Sequence, residues 1–350
     1  MNQELQNIQT SNGATFQDSI PVSFGNNTQA IEAIKQGVAL CDRSHWGLIN
    51  ISDDDRLRFL HNQSTNNFNI LKPGEGCETV FVTPTARTID LATAYVTEDA
   101  VLLLVSPTRC QQLIEWFDRY LFPMDRVAVK DISSEYAIFS LMGPESKNSI
   151  AKLSGITPPD APHASHQLIS LKDVEVRFTV GSGLATEGCT LIVPVNNAAK
   201  VWQILTETGA VPMGDRLWQQ LRIEQGRPAP DYELTDDYNP LEAGLWNTIS
   251  FEKGCYIGQE TIARLNTYKG VKQRLWGIRL NGMAELGNVV KVGDEKVGKL
   301  TSCTETTNED YFGLVYIKTK AGGVGLKVQV GNVEGEVVEV PFLTHQDIDS

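Results

Sequence analysis

Long apolar runs are missing from this 350-residue chain: Val101-Leu102-Leu103-Leu104-Val105 is typical of the longest, and it is far short of the ~20 residues a bilayer-crossing helix needs. No membrane span is expected. Close cysteine pairs are missing too. Cys41, Cys77, Cys110, Cys189, Cys255 and Cys303 are widely dispersed with no CxxC, which excludes a disulfide framework or a zinc knuckle as the organising device. The five histidines form no HExxH, and His163 and His166 lie in a Pro- and Ala-rich stretch that reads as a solvated loop, so no metal site is expected. Positive charge is scarce: 30 Lys and Arg against 43 Asp and Glu leave a formal charge of -13, which argues against direct binding of a phosphate backbone. The first twenty residues hold Glu4 and Asp18 but no Lys or Arg. They resemble neither a secretory signal nor an Arg-rich transit peptide, and the expectation is a cytosolic chain.

What is present is ample core material. With 41% hydrophobic and 21% charged residues the chain has the composition of a folded protein, and at this length two or three packed units are expected. Residues 28 to 40 read as a helix, with Thr28 as N-cap and Ala30, Ile31, Ala33, Ile34 and Val38 on its apolar face. Leu48-Ile49-Asn50-Ile51 reads as a strand, and Asp53-Asp54-Asp55 as the acidic start of a helix carrying Leu57, Phe59 and Leu60. Strands are predicted at 78 to 83, 88 to 96 and 100 to 105, then a helix opening at Ser106-Pro107. Its Trp116, Phe117 and Tyr120 read as a packing face. A second round follows: strands near 127 to 131, 135 to 141, 174 to 180 and 189 to 193, with helices at 144 to 153, 197 to 208 and 215 to 225. Gly155 to His166 reads as a loop. Strands with helices on one face describe α+β units, and two are expected before residue 272.

From about 272 the pattern becomes short β runs punctuated by glycine, at 274 to 280, 289 to 292, 296 to 301, 312 to 317, 326 to 330 and 335 to 340, the habit of a small β-barrel. Gly322, Gly323 and Gly325 lack the strand-to-helix setting of a phosphate loop and read as turn glycines. The predicted domains are therefore 1 to 130, 131 to 271 and a barrel at 272 to 350.

The stretch Lys253-Gly254-Cys255-Tyr256-Ile257-Gly258-Gln259-Glu260 sets one thiol between two glycines with a cation two residues upstream. Glycine accepts positive φ and close backbone approach, which suits a site better than a core. A thiol acts as nucleophile or soft ligand only as thiolate, and the Lys253 ammonium is placed to favour that form. Outside such a setting an isolated cysteine reads as a small buried hydrophobe.

Residues 253 to 260, with Arg264 just beyond, closely resemble the signature of YgfZ-type folate-binding proteins of the aminomethyltransferase (GcvT-like) superfamily. Cys41-Asp42-Arg43-Ser44-His45-Trp46-Gly47, Phe59-Leu60 through Ser64-Thr65-Asn66, Leu221-Arg222-Ile223-Glu224-Gln225-Gly226 and Asn239-Pro240-Leu241-Glu242-Ala243 resemble further segments of that superfamily. The resemblance implies an α+β, three-lobed cloverleaf whose central channel holds tetrahydrofolate or a derivative. Within it, Asp90 falls where the transferases carry the first of two adjacent acids and is implied to meet the pterin or a folate nitrogen. Read alone, Asp90 is a strand-surface acid. Arg222 and Arg227 are implied to pair with the folate's glutamate tail, for which a guanidinium fork is suited; the plain alternative is a solvated helix end. Lys253, Tyr256, Gln259 and Arg264 are implied to border folate and thiol, with Cys255 at the channel mouth.

Two departures from the transferase pattern bear on mechanism. The second acid of the pair is Leu91, and the glutamate four residues before a strand-ending proline is Thr190, counted to Pro194. Both losses remove acid-base help for carbon-unit transfer. The expected function is thus an accessory factor for assembly or maintenance of iron-sulfur enzymes, tRNA-modifying ones included, with assembly proteins or client enzymes as partners. One thiolate does not hold a cluster that takes four. The alternative is a folate-dependent aminomethyl or one-carbon transferase with Asp90 as catalytic group.

Overall fold

The computed structural model describes residues 2–158 and 160–345. Pro159, inside the predicted 155 to 166 loop, and residues 346–350, at the end of the predicted barrel segment, lie outside the described residues. Two compact units emerge, each assembled from separate pieces of chain. The first takes residues up to Leu57 with Ile70–Glu78 and Thr93–Gln219; the second takes Arg58–Asn69, Thr79–Ala92 and the chain from Gln220 onward.

The first unit carries a six-stranded sheet in the order His166–Leu171, Val174–Val180, Gly188–Pro194, Tyr136–Met142, Ala39–Asp42, Val211–Met213. All neighbours run antiparallel except the last pair. Its core gathers Phe139, Phe178, Leu191 and Trp202. The Trp202 ring stacks on Phe24 at 5.8 Å and meets Phe139 edge-on at 5.4 Å. A second sheet of this unit pairs Thr93–Val96 with Ala100–Val105, Ala100–Val105 with Gly47–Ser52, and Gly47–Ser52 with Ala128–Asp131, all antiparallel.

The second unit contains the expected barrel, closed in the order Gln273–Leu280, Tyr311–Lys318, Glu295–Glu305, Val289–Val292, Lys327–Val330, Val333–Val338. Closure removes the sheet's edges. Ile278, Val290, Leu300, Val315 and Val337 fill its interior. A separate apolar cluster packs Val80, Val82 and Leu91 with Ile223, Tyr238, Leu275 and Tyr316, and the Tyr238 and Tyr316 rings stack with centroids 3.5 Å apart.

Two helix boundaries differ from expectation, each for a backbone reason. The helix predicted over 28 to 40 is Asn27–Gln36, preceded by Asn26 rather than capped by Thr28; at Gly37, with φ of -140° and ψ of -126°, the backbone leaves the helical region, and Val38 leads into the fully buried strand Ala39–Asp42. An apolar run of four reads equally as helix face or buried strand, and here pairing with Tyr136–Met142 decides. The helix predicted to open at Ser106-Pro107 begins at Cys110. Thr108 has φ of 68°, a left-handed backbone that no α-helix can include.

Candidate functional site

The loop bearing Cys255 is laid along the helix Arg56–Gln63 and the turn that leaves it. Thr65 Oγ1 donates to the Thr248 carbonyl at 2.8 Å, and Ser250 N donates to the Thr65 carbonyl at 3.0 Å. Lys253 then turns inward. Its Nζ donates to the carbonyls of His61 (2.5 Å), Ser64 (2.7 Å) and Asn66 (2.6 Å). A helix end leaves carbonyls without intrahelical partners and carries partial negative charge, and an ammonium has three donors. Lys253 is only 6% exposed, and its Nζ also lies 4.5 Å from the centroid of the Tyr256 ring. The cation expected to serve the thiol is thus, in its contacts, a clamp on the neighbouring helix end. A second tie follows at Ile257, whose N donates to the Asn62 carbonyl at 3.0 Å.

Between the two ties Cys255 is exposed. Of the two glycines flanking it, only Gly258 adopts positive φ, 80°. A Cβ there would stand 2.9 Å from the Thr83 carbonyl oxygen and 3.2 Å from Ala86 Cα, so this is a close backbone approach that glycine alone permits. Gly258 precedes the helix Gln259–Thr267, which Ile262 anchors in a cluster with Ala86, Leu241, Ile249 and Val271; Tyr256 and Trp246 pack against it. Burial pushes the Tyr256 phenol up to about 12. Gln259 is half-buried and Arg264 exposed in the helix's last turn.

One neighbour of this loop was not singled out from sequence. His61 is 6% exposed, and its Nε2 lies 3.5 Å from where a Gly254 Cβ would stand. Burial, then the Lys253 ammonium, lower its pKa, while the Asn67 side chain opposes them. The only hint in the chain is its place between Leu60 and Ser64, inside a segment already set apart.

Asp90 has 0% exposure, so it is not a strand-surface acid. It belongs to Thr88–Val96, buried along its whole length. Side chains alternate across a strand, and the adjacent Leu91 enters the apolar cluster with Tyr238 and Tyr316. Thr190 is likewise neutral and settled: its Oγ1 donates to the Gly181 carbonyl at 2.8 Å and lies 3.2 Å from Ser140 Oγ.

The two arginines occupy a different neighbourhood. Arg222 is 3% exposed and its Nη1 donates to Glu233 Oε2 at 2.8 Å. Glu233, with 0% exposure, also accepts from Ala229 N at 3.1 Å and Ser302 Oγ at 2.6 Å, while its backbone carbonyl accepts from Tyr316 Oη at 2.8 Å. The carboxylate expected from a ligand's tail is therefore supplied, for Arg222, by the chain itself. Arg227 is also buried at 3% exposure, with its guanidinium 5.1 Å from the Phe342 ring centroid; neither arginine is a solvated helix end. Glu233 was missed because its surroundings, Asp231-Tyr232-Glu233-Leu234, carry no periodic or motif signal.

Comparison with known proteins agrees with this architecture. A chloroplastic protein of Arabidopsis thaliana, whose name assigns it provisionally to the transferases, is 48% identical over 344 residues, covering 98% of this chain and 80% of its own. An aminomethyltransferase of Halothermothrix orenii is 26% identical over 337 residues, covering 93% of this chain and 94% of its own. The crystal structure of the glycine cleavage system aminomethyltransferase T from Bartonella henselae superposes with a TM-score of 0.84 at 18% identity, covering 98% of both chains. That likeness shows the mixed α+β fold. The family model described as the GCVT N-terminal domain matches residues 5–253, and the chain belongs to that family.

Proposed function

We propose that this chain binds a reduced folate and works as an accessory factor for assembling or maintaining iron-sulfur enzymes, tRNA-modifying ones among them, as a YgfZ-type member of its family. Membership of the GCVT family supports the folate part. The observation that carries the rest is the loop itself: one exposed cysteine, pinned between Lys253 and Ile257, in a protein whose equivalents of two transferase acids are the core residue Leu91 and the hydrogen-bonded Thr190.

At the pterin end the proposed contact is Asp90. A pterin edge presents N–H donors, and Asp90, buried on a rigid strand, is a carboxylate of the kind that meets such donors with charge-assisted bonds. For the glutamate tail, Arg227 is the proposed cation; Arg222, engaged by Glu233, is proposed to hold the 222–233 segment in place. Tyr256, Gln259 and Arg264 are proposed to border the site beside Lys253. Folate, when bound, would supply a one-carbon carrier. The chain's own residues would orient the pterin and present the Cys255 sulfur to a partner protein.

Calorimetric titration with tetrahydrofolate tests the first half: Asp90→Ala is expected to weaken binding by about tenfold or more, and unchanged affinity contradicts the assignment. A methylene-transfer assay addresses the second reading, which the 26% identity to an aminomethyltransferase favours. Turnover that Asp90→Ala abolishes and Cys255→Ala leaves intact would make the chain a transferase.

A further inference from the structure

We draw no further inference here: the strongest candidate, the groove of about 560 Å³ on the barrel between Arg279, Lys291 and Lys327, carries nothing, because Glu334 and Glu336 stand among those cations and nothing in the structure shows what covers it.

Discussion

A single ammonium can close three carbonyls, and Lys253 does this where a helix end would otherwise leave them unsatisfied. Its role follows from direction, which spacing in the sequence cannot specify: two residues upstream of a thiol is equally compatible with facing it or turning away. Lys253→Met is expected to lower unfolding free energy by roughly 3 kcal/mol in urea titration, because the carbonyls stay buried without a charged donor. Arg264→Ala, exposed, should lie within about 0.5 kcal/mol of the parent. The Arg222–Glu233 pair makes the complementary point. Arg222 stood out as a cation and Glu233 did not stand out at all, yet Glu233 holds Arg222, Ala229 and Ser302 together. Removing one partner strands a buried charge, so Glu233→Gln is expected to cost about 3–5 kcal/mol by the same titration, and a loss under about 1 kcal/mol would show the pair to be slack.

Elements were most legible where period and punctuation agreed. The barrel strands, the strands Thr88–Val96 and Ala100–Val105, and the helix Asp215–Gln225 fall where alternation, apolar spacing and glycine turns place them. Legibility failed where an apolar run was short or a local backbone overrode a common signal. Ala39–Asp42 is a buried strand continuing an apparent helix, and Ser106-Pro107 announces a helix that Thr108 delays. The strand Val211–Met213, held by three parallel pairs to Ala39, Leu40 and Cys41, has too few residues to show any period. At the site, the motif glycines are unequal. Gly258→Ala must force positive φ on a Cβ already 2.9 Å from the Thr83 oxygen, costing roughly 2 kcal/mol or more in thermal or urea unfolding. Gly254 has neither constraint, and Gly254→Ala should stay within about 1 kcal/mol of the parent.

For the molecule as a whole, each of the two compact units is assembled from stretches far apart in the chain. The six-stranded sheet draws Ala39–Asp42 from the first predicted segment and its other strands from the second. Such exchange depends on long-range strand pairing, which no local pattern encodes. Each unit also holds a histidine kept from charging, His166 buried in the first and His345 half-buried in the second. Burial, then Arg177, push His166 down to about 4, and burial, then Arg274, do the same for His345. Unfolded, both rings titrate near ~6.5. Between those values the unfolded chain binds protons that the folded chain refuses. Stability from these rings is therefore complete above pH ~6.5 and is lost as pH falls toward ~4. Urea midpoints are expected to fall across that window, less steeply in His166→Gln, and a flat profile would contradict the buried-neutral assignment.

In the proposed function the exposed sulfur of Cys255 does the work, and folate binding does not depend on it. Restoration of iron-sulfur enzyme activity in cells lacking this protein, measured for Cys255→Ala beside the tetrahydrofolate affinity of the same purified variant, tests it most directly. Lost rescue with unchanged affinity is the expected result. Full rescue by Cys255→Ala would contradict it.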